Sequence, residues 1–123
     1  MEDLERLVQD DMEGVEVKIR AELAKRGFGI LTEIDVAATL KAKLGVERSA
    51  LKILGACNPG FANRALEIDR DVALFMPCNV VLEQVESGVR ISAMDPSVMM
   101  TSPLMKTLAQ EATSLLSDAL KAI

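Results

Sequence analysis

Two short Cys-Asn segments hold the densest group of reactive side chains in this 123-residue chain. They are Cys57-Asn58-Pro59 and Pro77-Cys78-Asn79. In the first, Asn58 is a typical helix N-cap and Pro59 a typical first helical residue, which places the Cys57 thiol beside the positive end of a helix dipole. Such a thiol ionises more easily than a free one, and the N–H groups there can hold an anion. Each cysteine can equally be a small buried apolar residue without chemistry.

The second segment lies where one apolar run ends and the next begins. Adjacent strands can bring its thiol to Cys57, although 20 residues separate the two cysteines. We therefore predict that Cys57-Asn58 and Cys78-Asn79 line one ligand-binding site. Two thiols with neighbouring amides suit a soft metal ion, a cofactor or a redox pair. The sequence does not choose among these, so no metal ligand and no cofactor is assigned.

Two further groups of side chains can do chemistry. Glu33 and Asp35 flank Ile34 and project to one side of an extended chain, as a general acid-base pair requires. The competing interpretation makes Asp35 a helix N-cap and Glu33 a solvated side chain. Four methionines also lie close together in the sequence, and they suit a copper(I) site, an adaptable apolar pocket or simple core filling. These are Met94, Met99, Met100 and Met105.

Composition excludes several classes of function. The chain has no His, which removes Ser-His-Asp triads, Cys-His dyads and His-ligated zinc sites. Its net charge is -5 without a basic region, and with three Phe and no Trp or Tyr it lacks stacking platforms for bases, so nucleic acid is not an expected partner. No apolar run approaches the roughly 18 residues that span a bilayer, so we expect no membrane segment. Two cysteines are too few for a disulfide framework, and we expect a cytoplasmic protein.

Hydrophobic spacing predicts four helices and several strands. The helices are expected from Asp11 to Arg26 with Asp10 or Asp11 as the cap, from Val36 to Leu44 after Asp35, after Asn58, and from Pro103 after the Ser102 cap. The strands are expected at 28–32, 51–54 and 72–76, with a hairpin of 79–84 and 89–93 around Glu86-Ser87-Gly88. Residues 55–59 are expected to turn. Residues 2–9 fit either a helix start or a strand.

These elements predict one domain over residues 1–123, an α+β two-layer sandwich. We expect a mixed sheet of four or five strands, covered mainly on one face by the first, second and last helices. The last helix has a wide apolar stripe, and either its own sheet or a second subunit must cover it. Its own sheet is the favoured partner.

Four sequence blocks resemble the domain of unknown function 302 (DUF302) family. They are Gly27 to Asp35, Leu40 with Lys43-Leu44-Gly45, Ile53 to Pro59, and Met76 to Val80. The resemblance implies a compact sandwich of one sheet covered by helices, usually a homodimer in bacteria and archaea. The family has no established biochemical activity. This chain departs from the family pattern at residues 2–9, a poor version of the usual first strand, and at Met76, where Leu is common.

The function predicted from the sequence is a homodimeric small-ligand or cofactor-binding module whose site is formed by Cys57, Asn58, Cys78 and Asn79. The alternative is a thiol-dependent redox protein or enzyme in which Cys57 is the thiolate and Cys78 the resolving partner. A third interpretation is an interaction protein with inert thiols. The identity of the ligand and the question of catalysis stay open.

Overall fold

Five strands and four α-helices, with two short 3-10 helices, make up the computed structural model, which describes residues 3–99 and 102–123. The strands are β1 (Glu5–Val8), β2 (Gly29–Asp35), β3 (Leu51–Cys57), β4 (Cys78–Val85) and β5 (Gly88–Ala93). The α-helices are α1 (Met12–Lys25), α2 (Val36–Leu44), α3 (Pro59–Ile68) and α4 (Pro103–Lys121). The 3-10 helices span Arg70–Phe75 and Pro96–Met99.

The helices begin where the sequence predicts because their caps act locally. The Asp11 side chain accepts a hydrogen bond from the Gly14 amide at 2.7 Å, and Asp35 accepts one from Ala38 at 2.9 Å. Ser102 caps α4 in the same way. Gly45, with φ of +68°, ends α2 in the left-handed conformation that glycine adopts without strain.

The sheet has the strand order β1-β5-β4-β3-β2, and all four pairings are antiparallel. The α+β sandwich is confirmed, but the sheet is antiparallel rather than mixed. The reason is that α2 and α3 each connect neighbouring antiparallel strands, and such a connection need not cross the face of the sheet as a parallel crossover must.

Residues 5–8, whose state the sequence left open, form the edge strand β1. This strand pairs with β5, Arg6 lying opposite Ile91. The Arg6 guanidinium also donates to the backbone carbonyls of Leu120 and Lys121, both at 2.8 Å. A cation here satisfies carbonyl groups that the end of α4 leaves without helical partners. Arg6 therefore joins the first strand to the last helix.

One face of the sheet carries the main core, under α1 and α4. Helix α1 contributes the fully buried Val15, Ile19 and Leu23, and α4 buries its apolar stripe there, as its sequence favours. The expectation for the second helix is wrong, because α2 has no buried residue. It links two strands at the edge of the sheet and packs mainly against β3, so it does not cover the face.

The opposite face of the sheet leaves apolar side chains accessible. Strand register places Ile34, Ile53 and Val81 side by side across β2, β3 and β4 on this face. Ile34 is 49% exposed, and so is Leu7, which lies on the same face in β1. The sheet therefore has one face packed against helices and another with an apolar row open to solvent.

Two sequence predictions fail near the small second core, in which α3 packs against α4. The run 72–76 is not a strand, since residues 70–75 form a 3-10 helix in which Leu74 is 84% exposed. The Asp69 carboxylate accepts from the Asp71 amide at 2.9 Å and starts this tight turn. Residues 55–57 do not turn either, because they pair with β2 and extend β3.

Across residues 3–99 and 102–123, none of the helices has the length and apolar character needed to cross a membrane.

Candidate functional site

A narrow apolar cavity of about 50 Å³ lies at the end of the sheet where β3 ends and β4 begins. Strands β3 and β4, helices α3 and α4 and the 3-10 helix at 96–99 all contribute to its wall. The lining residues are Phe28, Ala56, Cys57, Asn58, Phe61, Ala62, Ala65, Met76, Pro77, Cys78, Met99, Met105, Leu108, Ala109 and Ala112. None of them carries a formal charge apart from what the thiols acquire on ionisation.

Both cysteines are among the residues that line this cavity. Cys57 is the last residue of β3 and Cys78 is the first residue of β4, where it pairs with Ala56. Both are partly buried, and neither forms a disulfide. Antiparallel pairing of β3 with β4 brings the end of one strand to the start of the next, and this explains how residues separated by a whole helix share one wall.

The environment of Cys78 favours the neutral thiol. Burial, assisted by the nearby Cys57 thiolate, raises the pKa of Cys78 to about 11 from an ordinary value of 9.0. Desolvation disfavours the charged form of any acid, and the apolar wall supplies no cation to oppose it. At neutral pH this side chain is therefore protonated until something displaces the proton.

Asn58 lines the cavity but its amide is already engaged. Its side-chain oxygen accepts from the Phe61 amide at 3.4 Å, the N-cap bond that the sequence predicts. Its Nδ2 donates to the Arg26 carbonyl at 3.2 Å. Gly27, with φ of +85°, follows directly, and a Cβ there would lie 3.0 Å from that Nδ2. Asn58 thus ties the end of α1 to the start of α3.

Asn79, the fourth residue predicted for the site, does not line the cavity. It pairs with Gly55, and its side chain is exposed. Successive residues of a strand point to opposite faces, so Asn79 projects away from the side that Cys78 occupies. The structure thus brings together three of the four predicted residues.

Close packing beside the cavity requires glycine at position 55. A Cβ on Gly55 would lie 2.7 Å from Pro77 Cγ and would overlap the hydroxyl of Thr32. Gly55 therefore allows Pro77 to lie against the sheet immediately before Cys78. The glycine fixes where β4 begins and hence where the second thiol enters the cavity wall.

Glu33 and Asp35, the predicted acid-base pair, lie outside the cavity wall. Asp35 is the cap of α2. Glu33 belongs to a closed ring of alternating charges with Arg20, Glu16 and Lys52. The four N···O distances are 2.8 Å for Arg20–Glu33, 2.9 Å for Arg20–Glu16, 2.8 Å for Lys52–Glu16 and 2.7 Å for Lys52–Glu33.

The contacts within this charge ring shift the pKa values of two of its members. Burial acts to raise the pKa of Glu16, but hydrogen bonds from Lys52 and Arg20 outweigh it and hold that pKa below 4.5. Hydrogen bonds to Glu16 and Glu33 raise the pKa of Lys52 above 10.5. The ring ties α1 to β2 and β3, and its carboxylates are occupied by cations.

Three methionines contribute further sulfur to the cavity wall, namely Met76, Met99 and Met105. The last two belong to the methionine group noted in the sequence, Met94 does not line the cavity, and Met100 lies outside the described residues. Sequence reasoning missed Met76, although its place beside Pro77-Cys78 is a signal that could have found it. Within the described ranges, no group of three or more Cys, Asp and Glu side chains is placed so that it could hold a metal ion.

Comparisons with known proteins agree with this fold. The model of the family described as "Domain of unknown function DUF302" matches residues 4–123. A crystal structure of an uncharacterised conserved DUF302 protein from Bacillus stearothermophilus has a TM-score of 0.89 and 28% identity, covering 96% of this chain and 94% of that chain. A search of curated proteins found no significant match. The family match, which spans nearly the whole chain, establishes that this protein belongs to the DUF302 family.

Proposed function

We propose that the protein is a single-domain, cytoplasmic, homodimeric module that binds a small ligand in the cavity between Cys57 and Cys78. The observation that carries the proposal is that two cysteines from separate segments are among the residues lining one apolar cavity. A thiol in a packed core needs no cavity beside it, and interiors seldom leave one larger than a water molecule. A cavity bordered by both cysteines favours binding over packing.

The size of the cavity limits the ligand to a few atoms. Its volume of about 50 Å³ is well below the roughly 300–1,000 Å³ of sites that hold drug-sized molecules. The one amide in its wall, that of Asn58, is committed to the α3 cap and to the Arg26 carbonyl. Recognition therefore depends on sulfur and on apolar contact.

Xenon binding tests whether the cavity accepts a small guest, because apolar cavities of this kind take up xenon. With methionine methyl groups labelled, NMR should show xenon shifting the signals of Met76, Met99 and Met105. Ala62→Leu, which adds bulk at a residue of the cavity wall, should abolish the shifts, whereas the exposed Ala24→Leu should preserve them. Native mass spectrometry of the purified protein should also show a retained adduct that Ala62→Leu loses. Absence of both the xenon shifts and the adduct in the unmodified protein would overturn the proposal.

A thiol redox function has less support. Its resolving thiol, Cys78, has a pKa of about 11, so little of it is thiolate at neutral pH. Register pairs Cys78 with Ala56 and not with Cys57, so the two cysteines are not directly opposed across the strands. Oxidation that removes two protons from the chain, detected by intact mass, would favour the redox function instead.

The homodimer is proposed to form through the open face of the sheet. Two antiparallel copies can pack the row of Ile34, Ile53 and Val81 on itself and exclude it from water. Five strands at about 4.8 Å spacing and about 20 Å length give roughly 1,000 Å² of contact over two copies, the area that a specific interface needs. Glu83 and Arg90 lie side by side on this face, so a two-fold axis can set opposite charges against each other.

Light scattering with size-exclusion chromatography tests this interface. The native chain should elute at twice 13.3 kDa. Ile53→Lys should give monomers, because a charge in the apolar row is desolvated on association. Val17→Lys, a matched change at an exposed α1 position, should remain dimeric. A native monomer at the highest soluble concentration, or a dimeric Ile53→Lys protein, would refute this interface.

A further inference from the structure

The connection between β3 and β4 has few bonds to the rest of the molecule. It spans residues 59–76 and contains α3 and the first 3-10 helix. Its backbone hydrogen bonds close within it, as the bond from Asp69 to the Ala65 carbonyl does. Among the residues that the structure describes, the bond from Ala62 to the cap residue Asn58 is the one backbone hydrogen bond that leaves this segment. The strands on either side of it are, by contrast, paired into the sheet.

Apolar packing also holds this segment lightly. Its buried side chains are Ala65 and Val72, while Phe61 and Met76 are partly buried. They belong to the small second core, which is separate from the main core under α1. Alanine and valine bury little apolar area, so their packing contributes less than that of the longer side chains in the main core.

Polar contacts attach the segment at its start and to α4. The Asn58 Nδ2 donates to the Arg26 carbonyl at 3.2 Å and fixes the residue that precedes the segment. Arg64 pairs with Glu111 of α4 at 3.8 Å, but these side chains are 55% and 53% exposed. An exposed ion pair contributes little to stability. The segment therefore has a firm point at its start and a weak link along its length.

The cavity lies between this segment and α4. Phe61, Ala62, Ala65 and Met76 form part of its wall on one side, and residues of α4 face them. Regions with few buried contacts open at a lower free energy than the whole fold. Separation of this segment from α4 breaks the second core and exposes the cavity, while the sheet and the main core stay intact.

We propose that residues 59–76 are a lid that opens as a unit and admits the ligand to the cavity. The inference rests on the binding site proposed above and identifies how that site is reached. The lid pivots between Asn58, which is held at the end of α1, and Cys78, where β4 begins. Val72 holds the lid in the second core but does not line the cavity, so it can be changed without altering the wall.

Native-state hydrogen exchange in low concentrations of urea tests the lid. In the native protein, exchange of the α3 amides should depend less on urea than exchange of the β4 amides, because lid opening exposes less surface than global unfolding. Val72→Ala should speed α3 exchange by about tenfold, since it removes buried methyl groups. Val15→Ala, the matched change in the main core, should speed β4 exchange and leave α3 exchange unchanged.

Saturation-transfer NMR of bound xenon connects lid opening to the cavity. Xenon should exchange with solvent about tenfold faster in Val72→Ala and at the native rate in Val15→Ala. The lid is wrong if α3 and β4 show the same urea dependence in the native protein, or if Val72→Ala leaves the xenon exchange rate unchanged. Both of these results leave the cavity proposal standing, because that proposal fails on a different observation, the absence of xenon binding to the native protein.

Discussion

At the scale of single residues, Cys78 shows how an apolar wall controls thiol chemistry. The reactive species of a cysteine is its thiolate. Raising the pKa from 9.0 to about 11 lowers the thiolate fraction near neutral pH by about a hundredfold. Cys78, which the sequence assigns to a reactive pair, should therefore react slowly with alkylating agents at neutral pH.

This protection predicts a pH profile. In a Cys57→Ser protein, alkylation of Cys78 by iodoacetamide should be slow at pH 8. It should then accelerate about tenfold with each pH unit until the pH nears the pKa of Cys78, which burial alone keeps raised in this variant because the charge of Cys57 is absent. Intact mass spectrometry of timed samples gives the rates, and the unfolded protein in urea gives the reference. A rate that levels off below pH 9 in the folded protein would contradict the burial of this thiol.

Ser117 is a second residue whose environment makes a definite prediction. It is fully buried in α4, and its hydroxyl has no hydrogen-bond partner among the residues that the structure describes. Ser117→Ala removes that uncompensated polar group, so the free energy of unfolding should rise by about 1 kcal/mol. Urea denaturation measures the change. Leu116→Ala, at the neighbouring buried position, should instead lower stability by about 2–5 kcal/mol, and a destabilised Ser117→Ala would show that the hydroxyl is satisfied.

At the scale of elements, the charge ring links α1 to β2 and β3 at the part of the sheet remote from the cavity wall. Each of its four members contacts two members of opposite sign. Networks of this kind are worth more than isolated surface pairs, because each side chain is held in place by two partners. The ring therefore holds α1 against β2 and β3 at the edge of the sheet.

The ring predicts a stability that depends on pH at both extremes. Glu16 has a pKa held below 4.5, so its contribution is complete above 4.5 and disappears as the pH falls through the folded-state value. Lys52 has a pKa raised above 10.5, so its contribution is complete below 10.5 and disappears as the pH rises through the folded-state value. Glu16→Gln should therefore cost about 1 kcal/mol at pH 7 and much less at pH 3.

Urea unfolding at the two pH values measures this difference. The control is Glu47→Gln, because Glu47 pairs with Lys41 at a well exposed site and should contribute close to nothing. An equal cost for Glu16→Gln at pH 7 and pH 3 would mean that the ring does not titrate as described.

Helix boundaries could be predicted from the sequence, because caps such as Asp11, Asn58 and Ser102 act within three residues. The run 72–76 could not, since its apolar composition fits a strand. What decides its state is the local turn that Asp69 starts. The bounds of β3 also escaped prediction, because Gly55 looks like a turn residue and is in fact a strand residue that must admit Pro77.

At the scale of the whole molecule, the meeting of Cys57 and Cys78 could be proposed from the sequence, but local patterns alone do not establish it. Strand pairing decides it, and pairing depends on contacts between distant segments. The prediction that Asn79 lines the site is wrong for a local reason. Side chains alternate along β4, so Asn79 lies on the face opposite to Cys78. The cavity itself depends on the volumes of side chains from five elements. No short stretch of sequence contains that information.

The hydrogen bonds that join Arg6 of β1 to the end of α4 have a consequence for folding during synthesis. The first strand leaves the ribosome early, but Arg6 finds its acceptor Leu120 only 114 residues later. At translation rates of about 5–20 residues per second, that is a wait of roughly 10 seconds. Throughout this interval the nascent chain carries an unpaired strand, and the edge of β5 that β1 will occupy stays open to wrong pairing once it has been made. Closure of the fold must therefore wait until α4 has been synthesised.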